Sequence, residues 1–162
     1  MIREDSCLHA IATFSECTLP LTNSNTLYQA WIDDNRTMRA TGTFDVHLNP
    51  FSSHEPTVGR LSIDKAFQGD LLATSKGEML AVRGTIETSA GYVAMELVTG
   101  SLHGRQGTFA FQHSSTMTRG LPHQSITVVP DSGTAELMGL SGSMIVIIDG
   151  DRHSYEFDYE LS

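Results

Sequence analysis

Cysteine is scarce in this chain of 162 residues, which holds only Cys7 and Cys17. Two cysteines cannot build a disulfide framework or a cysteine-based metal site. Basic residues are also few, since 10 Lys and Arg stand against 19 Asp and Glu, for a net charge of −9. Nucleic-acid phosphates and anionic lipids are bound by basic faces, so we expect neither nucleic acid nor a membrane as a partner.

Hydrophobic runs are short, and no stretch approaches the ~18 apolar residues of a membrane-spanning helix. The first residues include Arg3, Glu4 and Asp5 and lead into no apolar segment of a secretory signal. We therefore expect a cytoplasmic protein with reduced thiols. The apolar fraction of 40% and the charged fraction of 18% are ordinary for a folded protein, and the length suits one domain.

Catalytic and metal-binding motifs are missing as well. The 7 histidines form no His-x-His or His-Glu-x-x-His pattern, so we expect no metal and no cofactor. Asp131 begins an Asp-Ser-Gly-Thr segment that occurs once, whereas aspartic-protease chemistry needs two such carboxylates. Gly139 begins Gly-Leu-Ser-Gly. The residue after this segment is Ser143, whereas a nucleophile elbow has its final glycine at that position. The sequence thus offers no set of nucleophile, base and orienting residue.

Alternation of apolar and polar residues predicts β-strands along most of the chain. The predicted strands cover 39–48, 60–74, 78–88, 91–100, 105–118, 123–130, 142–149 and 152–161. Clusters of Gly, Pro, Asp and Ser separate them, and the helical pattern is limited to one turn at 134–137. Sequential strands joined by short turns favour an all-β, eight-stranded, antiparallel up-and-down barrel, with a sandwich as the alternative. The interior of such a barrel is filled by side chains or holds one small ligand.

Residues 1–37 differ from the rest of the chain. They hold both cysteines, the single tryptophan Trp31 and a run of Thr, Asn and Ser from Thr22 to Thr26. Regular alternation begins at Met38. We therefore expect an N-terminal extension at 1–37 and a β-barrel domain at 38–162, with Met38 as an alternative start of the biological protein.

A hairpin turn centred on His103-Gly104 fixes the pairing of two predicted strands. It places Val98 opposite Phe109, Glu96 opposite Phe111, and Ala94 opposite His113. The face that these residues share is mainly aromatic, and the last hairpin adds Tyr155 and Phe157 to it. We expect this face to line the barrel interior.

The opposite face of the same strands carries further apolar residues. They are Val93, Met95, Leu97, Ile145 and Ile147. Soluble monomers rarely expose a large contiguous apolar patch, so these residues indicate a subunit interface and a homo-oligomer.

Glu96 and His113 are the candidate chemical pair of this sequence. In the predicted register they are diagonal neighbours on the aromatic face, with Cα atoms ~7–8 Å apart. A carboxylate in such surroundings must be protonated or paired, and a perturbed titratable group in an apolar site is a candidate functional residue. A purely structural hydrogen bond is the alternative interpretation, and both stay open here.

Short segments spread over residues 38–161 follow, in order, the pattern of a known family. They are ATGTF at 40–44, GEML at 77–80, SAGYVAME at 89–96, GSLHGRQGTF at 100–109, QH at 112–113, VVPDSGT at 128–134, GLSG at 139–142 and YEFDY at 155–159. Together they resemble the bacterial domain-of-unknown-function family 3224. The resemblance implies a β-barrel like that of allene oxide cyclase, but no activity, because the family has none established and fold does not transfer function.

The leading functional hypothesis is a barrel that binds a small hydrophobic or amphipathic molecule in its interior. Its predicted ligand contacts are Tyr92, Glu96, Val98, Phe109, Phe111, His113, Tyr155 and Phe157. One alternative is an isomerase or cyclase that acts on an apolar substrate with Glu96 as acid or base and His113 as the second candidate catalytic residue. Another is a packed barrel that binds partners through Val93, Met95 and Leu97.

Overall fold

The computed structural model describes residues 37–51 and 58–162. Its strands are β1 (Met38–Pro50), β2 (Gly59–Gly69), β3 (Leu71–Arg83), β4 (Ala90–Leu102), β5 (Arg105–Thr118), β6 (Leu121–Val128), β7 (Leu140–Asp149) and β8 (Arg152–Leu161). They form a closed barrel in chain order, each strand antiparallel to its neighbours, with β8 pairing back to β1. The predicted antiparallel up-and-down barrel is confirmed, and the sandwich alternative is wrong.

The single helical turn predicted at 134–137 is present as a 3-10 helix, Ala135–Leu137, between β6 and β7. Within the described ranges, no helix is long and apolar enough to cross a membrane. The predicted extension at residues 1–37 lies, apart from Thr37, outside the described residues.

The boundary between β2 and β3 differs from the prediction. The chain turns at Gly69 and Asp70, where Gly69 has a φ of +104° and the Asp70 carboxylate accepts a hydrogen bond from the Thr41 backbone at 2.8 Å. The predicted turn at 75–77 instead lies inside β3, so the prediction of one strand over 60–74 is wrong. The predicted strand at 78–88 also ends early, at Arg83. The Ser-Lys-Gly run at 75–77 resembles a turn signal, but Ser75 and Gly77 face Glu96 on β4: Ser75 bonds to its carboxylate, and Gly77 leaves space for its side chain.

The two hairpins predicted from turn positions have the expected registers. Val98 lies opposite Phe109 and Glu96 opposite Phe111, with His103 and Gly104 between β4 and β5. In the last hairpin Val146 lies opposite Tyr155, and Met144 lies opposite Phe157. Since side chains alternate along a strand, these registers fix which residues enter the barrel.

One end of the barrel is closed and filled. Here lie the β2–β3 turn, the β4–β5 turn and the 3-10 helix, and we call it the closed end. Its core is a stack of rings, in which Phe157 lies 5.3 Å from Tyr159 and 6.1 Å from Phe109, centroid to centroid. Leu137, on the 3-10 helix, is 1% exposed and packs under this stack.

Tyr155 ties the closed end to the barrel wall. Its hydroxyl accepts a hydrogen bond from the Leu71 backbone N–H at 2.9 Å and donates one to the Gln68 carbonyl at 3.3 Å. These bonds anchor the residues on both sides of the turn between β2 and β3 to β8.

Replacing Tyr155 by Phe should therefore destabilise the barrel by about 1–2 kcal/mol, because the buried Leu71 N–H loses its acceptor. The measurement is the free energy of unfolding in urea. Tyr159→Phe is the control, since the Tyr159 hydroxyl contacts the half-exposed His103 and its loss should cost less. An equal or larger loss in the control would contradict this role for Tyr155.

Candidate functional site

A charged cluster is buried inside the barrel around Glu96, which is 1% exposed. Lys65 Nζ donates to Glu96 Oε1 at 2.7 Å, and Ser75 Oγ donates to Glu96 Oε2 at 2.6 Å. His113 Nε2 lies 2.8 Å from Oε1, although the two atoms are not aligned as a hydrogen bond. Lys65, Ser75, Glu96 and His113 come from β2, β3, β4 and β5, so four consecutive strands each supply one residue.

A glycine makes room for this cluster. Gly77 on β3 lies directly opposite Glu96 on β4. A Cβ added at Gly77 would collide with the Met95 carbonyl oxygen and lie 2.8 Å from Glu96 Cγ. The glycine that resembles a turn signal is therefore the position that lets the Glu96 side chain enter the interior.

The electrostatics of the cluster keep Glu96 ionised. Burial raises its pKa, but the adjacent His113 and Lys65 outweigh burial and lower the pKa from 4.5 to about 2. The Lys65 ammonium also lies over the Phe44 ring, 5.1 Å from its centroid. A buried carboxylate and a buried ammonium thus satisfy each other, as buried charges must.

The structure brings together the two residues that the sequence singled out, Glu96 and His113, and adds two that it missed. Lys65 could have been found, because alternation places it on the same face as Ile63 and Phe67. Ser75 is missed because the sequence predicts a turn at 75–77, and a residue in a turn is not expected to face the barrel interior. Among the described residues, no group of three or more His, Cys, Asp and Glu side chains is arranged to hold a metal ion.

The predicted ligand contacts fall into two groups. Five of them are 0–1% exposed and pack in the aromatic core toward the closed end: Val98, Phe109, Phe111, Tyr155 and Phe157. The other three are the buried Glu96 and His113 and the partly buried Tyr92, which lie nearer the other end.

That other end, which we call the open end, carries the last residues of β1, the first residues of β2, the β3–β4 loop, and the β5–β6 and β7–β8 turns. Several inward-facing side chains there are only partly buried: Val46, Met79, Tyr92, Ser115, Gln124 and Val146. Tyr92 lies opposite Ser115, and burial raises the pKa of its hydroxyl. Among the described residues, the inward-facing side chains at this end are therefore less buried than those at the closed end.

The barrel wall is weakest where β6 meets β7. In the described chain these strands pair at Ile126 with Met144 and at Thr127 with Ser143. Nearer the open end, the Gln124 side chain replaces strand pairing. Its Nε2 donates to the Val146 carbonyl at 2.8 Å, and its Oε1 accepts from the Val146 N–H at 3.0 Å. We call this junction the β6–β7 seam.

A groove of about 1040 Å³ lies outside the barrel along β3, β4 and β5. Val93, Met95 and Leu97 line it and are 51–56% exposed, and Ile145 and Ile147 on β7 also face outward. The outward orientation expected of all five residues is confirmed.

The ionisation of Glu96 predicts an acid-sensitive barrel. A carboxyl whose pKa falls from 4.5 in the unfolded chain to about 2 in the folded one stabilises the fold above pH 4.5. That stability, about 3 kcal/mol, should be lost as the pH falls through the window from 4.5 to 2. Urea unfolding at pH 7, 4.5, 3 and 2 measures it.

Glu96→Gln should flatten this pH dependence, at the cost of a less stable fold at pH 7, because Lys65 loses its counter-charge. Glu78→Gln is the matched control, since Glu78 pairs with Arg60 on the surface and should leave the acid transition nearly unchanged. If Glu96→Gln kept the full wild-type pH dependence, another group would be responsible.

Comparison with known proteins places the chain among proteins without an assigned activity. A family model described as "Protein of unknown function (DUF3224)" matches residues 40–159. A solved structure of a protein with unknown function from the DUF3224 family of Shewanella oneidensis MR-1 is 43% identical, with a TM-score of 0.75. The match covers 78% of this chain and 98% of that chain. Among curated proteins, none matches.

Proposed function

We propose that this chain, which belongs to the DUF3224 family of proteins of unknown function, binds a small amphipathic molecule in the open half of its barrel. The family description names no activity, so the proposal depends on the geometry. The observation that carries it is the difference between the two halves. The closed half is filled by rings, whereas inward-facing side chains of the open half stay partly exposed above a buried charged cluster.

Ligand sites commonly occupy the mouths of β-barrels, with mostly apolar walls and a few polar groups that fix orientation. Here Val46, Met79 and Val146 supply apolar walls. Tyr92 supplies a polar group at this level, and below it the buried His113 lies 2.8 Å from the Glu96 carboxylate. A ligand with an apolar body and a hydrogen-bonding polar group fits this arrangement.

The β6–β7 seam offers a route into this space through the wall. Two backbone pairs and one glutamine side chain join the strands there, whereas β4 and β5 pair from Ala90–Met117 to Leu102–Arg105. Separating Gln124 from Val146 would widen the wall beside the open end without breaking a long ladder.

An isomerase or cyclase with Glu96 as acid or base is the alternative from another class. A general acid or base works best with a pKa near the working pH. The pKa of Glu96 is about 2, and Lys65 and Ser75 bind its two oxygens, which favours a binding role over proton transfer. Turnover lost in Glu96→Gln with ligand binding retained would favour the enzyme.

A bulky side chain in the open half should block the ligand. Ser115→Phe points a ring into this space and should weaken binding of 11-(dansylamino)undecanoic acid, a fluorescent amphipathic probe, by at least about tenfold. Fluorescence titration measures the change. Ser125→Phe is the matched control, because Ser125 faces outward on β6 and should leave the affinity unaltered. Equal loss in both variants, or no probe binding by the wild type, would count against the site.

Native mass spectrometry of the protein purified from its own host adds an independent readout. A discrete, dissociable small-molecule mass on the wild type that is missing from Ser115→Phe supports the proposal. A bare polypeptide that also fails to bind the probe argues against it.

Removing the Gln124 side chain should loosen the seam. In Gln124→Ala the Val146 N–H loses its acceptor, so its hydrogen exchange should rise by at least about tenfold while amides of β4 and β5 stay protected. Gln112→Ala, at an outward position on β5, is the control. Unchanged exchange at Val146 would show that Gln124 does not hold the seam, whatever the ligand.

A further inference from the structure

The outer surface of β3 and β4 carries a strip of exposed apolar side chains. Leu80, Val93, Met95 and Leu97 are 47–56% exposed and adjoin one another, since Leu80 lies opposite Val93 across the two strands. We call this strip, with the groove beside it, the outer apolar face. Contiguous apolar surface of this kind on a soluble domain marks an interaction site.

We propose that the outer apolar face binds the same face of a second copy of this chain. The charges around the strip are the argument. Asp64 and Lys76 lie side by side on β2 and β3, and Arg60 is bonded to Glu78 at 2.7 Å. The four charges on the β2–β3 side of the face thus sum to zero, although the whole chain has a net charge of −9. A net negative charge opposes association of two copies in general, whereas these paired charges add no like-charge repulsion at this face.

The order of these residues also suits a two-fold interface. Lys76 and Leu97 share one row across β3 and β4, and Glu78 and Met95 share the next. In a two-fold contact, residue i of one copy meets residue j of the other, and j meets i. A two-fold axis perpendicular to the strands, between these rows, sets Lys76 against Glu78 of the second copy and Leu97 against its Met95, each pair twice.

The outward apolar residues of β7 do not offer the same surface. Ile145 on β7 lies opposite Glu156 on β8, and Asp158 follows on the same outward side. This neighbourhood is acidic apart from Arg39, which bonds to both carboxylates. Two copies brought together there would oppose like charges, so the proposal selects β3–β4 rather than β7.

The test is the molar mass of the full chain in solution, measured by light scattering after size exclusion from about 1 to 100 µM. The wild type should form a dimer in this range, and Met95→Glu should be a monomer. Ile145→Glu is the matched control, because Ile145 is 54% exposed and Met95 is 51% exposed, and it should stay dimeric. Circular dichroism establishes that each variant is folded.

Charge reversal tests the two-fold arrangement itself. Lys76→Glu should raise the dimer dissociation constant by about tenfold, because two attractions become repulsions. The double variant Lys76→Glu with Glu78→Lys should recover most of the affinity. A monomeric wild type, or a dimer broken by Ile145→Glu but not by Met95→Glu, overturns the proposal. Failure of the double variant to recover overturns the two-fold pairing of Lys76 with Glu78.

Discussion

The ion pair between Glu96 and Lys65 is the constraint on which much of this barrel depends. Taking a carboxylate out of water costs several kcal/mol unless charges and hydrogen bonds replace the solvent. Here the replacement comes from β2, β3 and β5 at once, and it requires a glycine opposite Glu96. A shift of one residue in any of these strands would turn a partner outward, so the cluster favours a single register.

The cluster also divides the interior into two halves of different character. Toward the closed end, aromatic rings pack against one another, as in the edge-to-face pair of Phe109 and Phe111 with centroids 4.9 Å apart. Leu137 is buried in the same core. Toward the open end, the described inward-facing side chains, such as Met79 and Gln124, are only partly buried. A purely apolar core could have continued to the surface, whereas a charged layer needs polar neighbours, such as Tyr92, on its outer side.

The sequence was sufficient for the fold and for half of the charged cluster. Alternation and hairpin turns locate the strands, and the His103-Gly104 turn alone fixes Glu96 near His113, because register follows from the turn. The turn prediction at Ser75 and Gly77 is wrong because small residues are typical of turns, whereas here Gly77 leaves space for the Glu96 side chain and Ser75 donates a hydrogen bond to it. The β6–β7 seam could not be foreseen, since Gln124 bonds to a strand that is not its hairpin partner. The allene oxide cyclase likeness stays a prediction.

The proposed dimer surface and the proposed route to the ligand site lie on strands that differ in how extensively they pair. β4 pairs over its whole length with both neighbours, and it carries Glu96 inward and Met95 and Leu97 outward. A dimer formed there would add to strands that are already firmly paired and would leave the interior unaltered. The described part of β6 and β7 shares two pairs, so any opening of the wall costs least on that side. Dimer formation at β3 and β4 and ligand entry at the β6–β7 seam are therefore compatible, because neither requires the strands of the other to move.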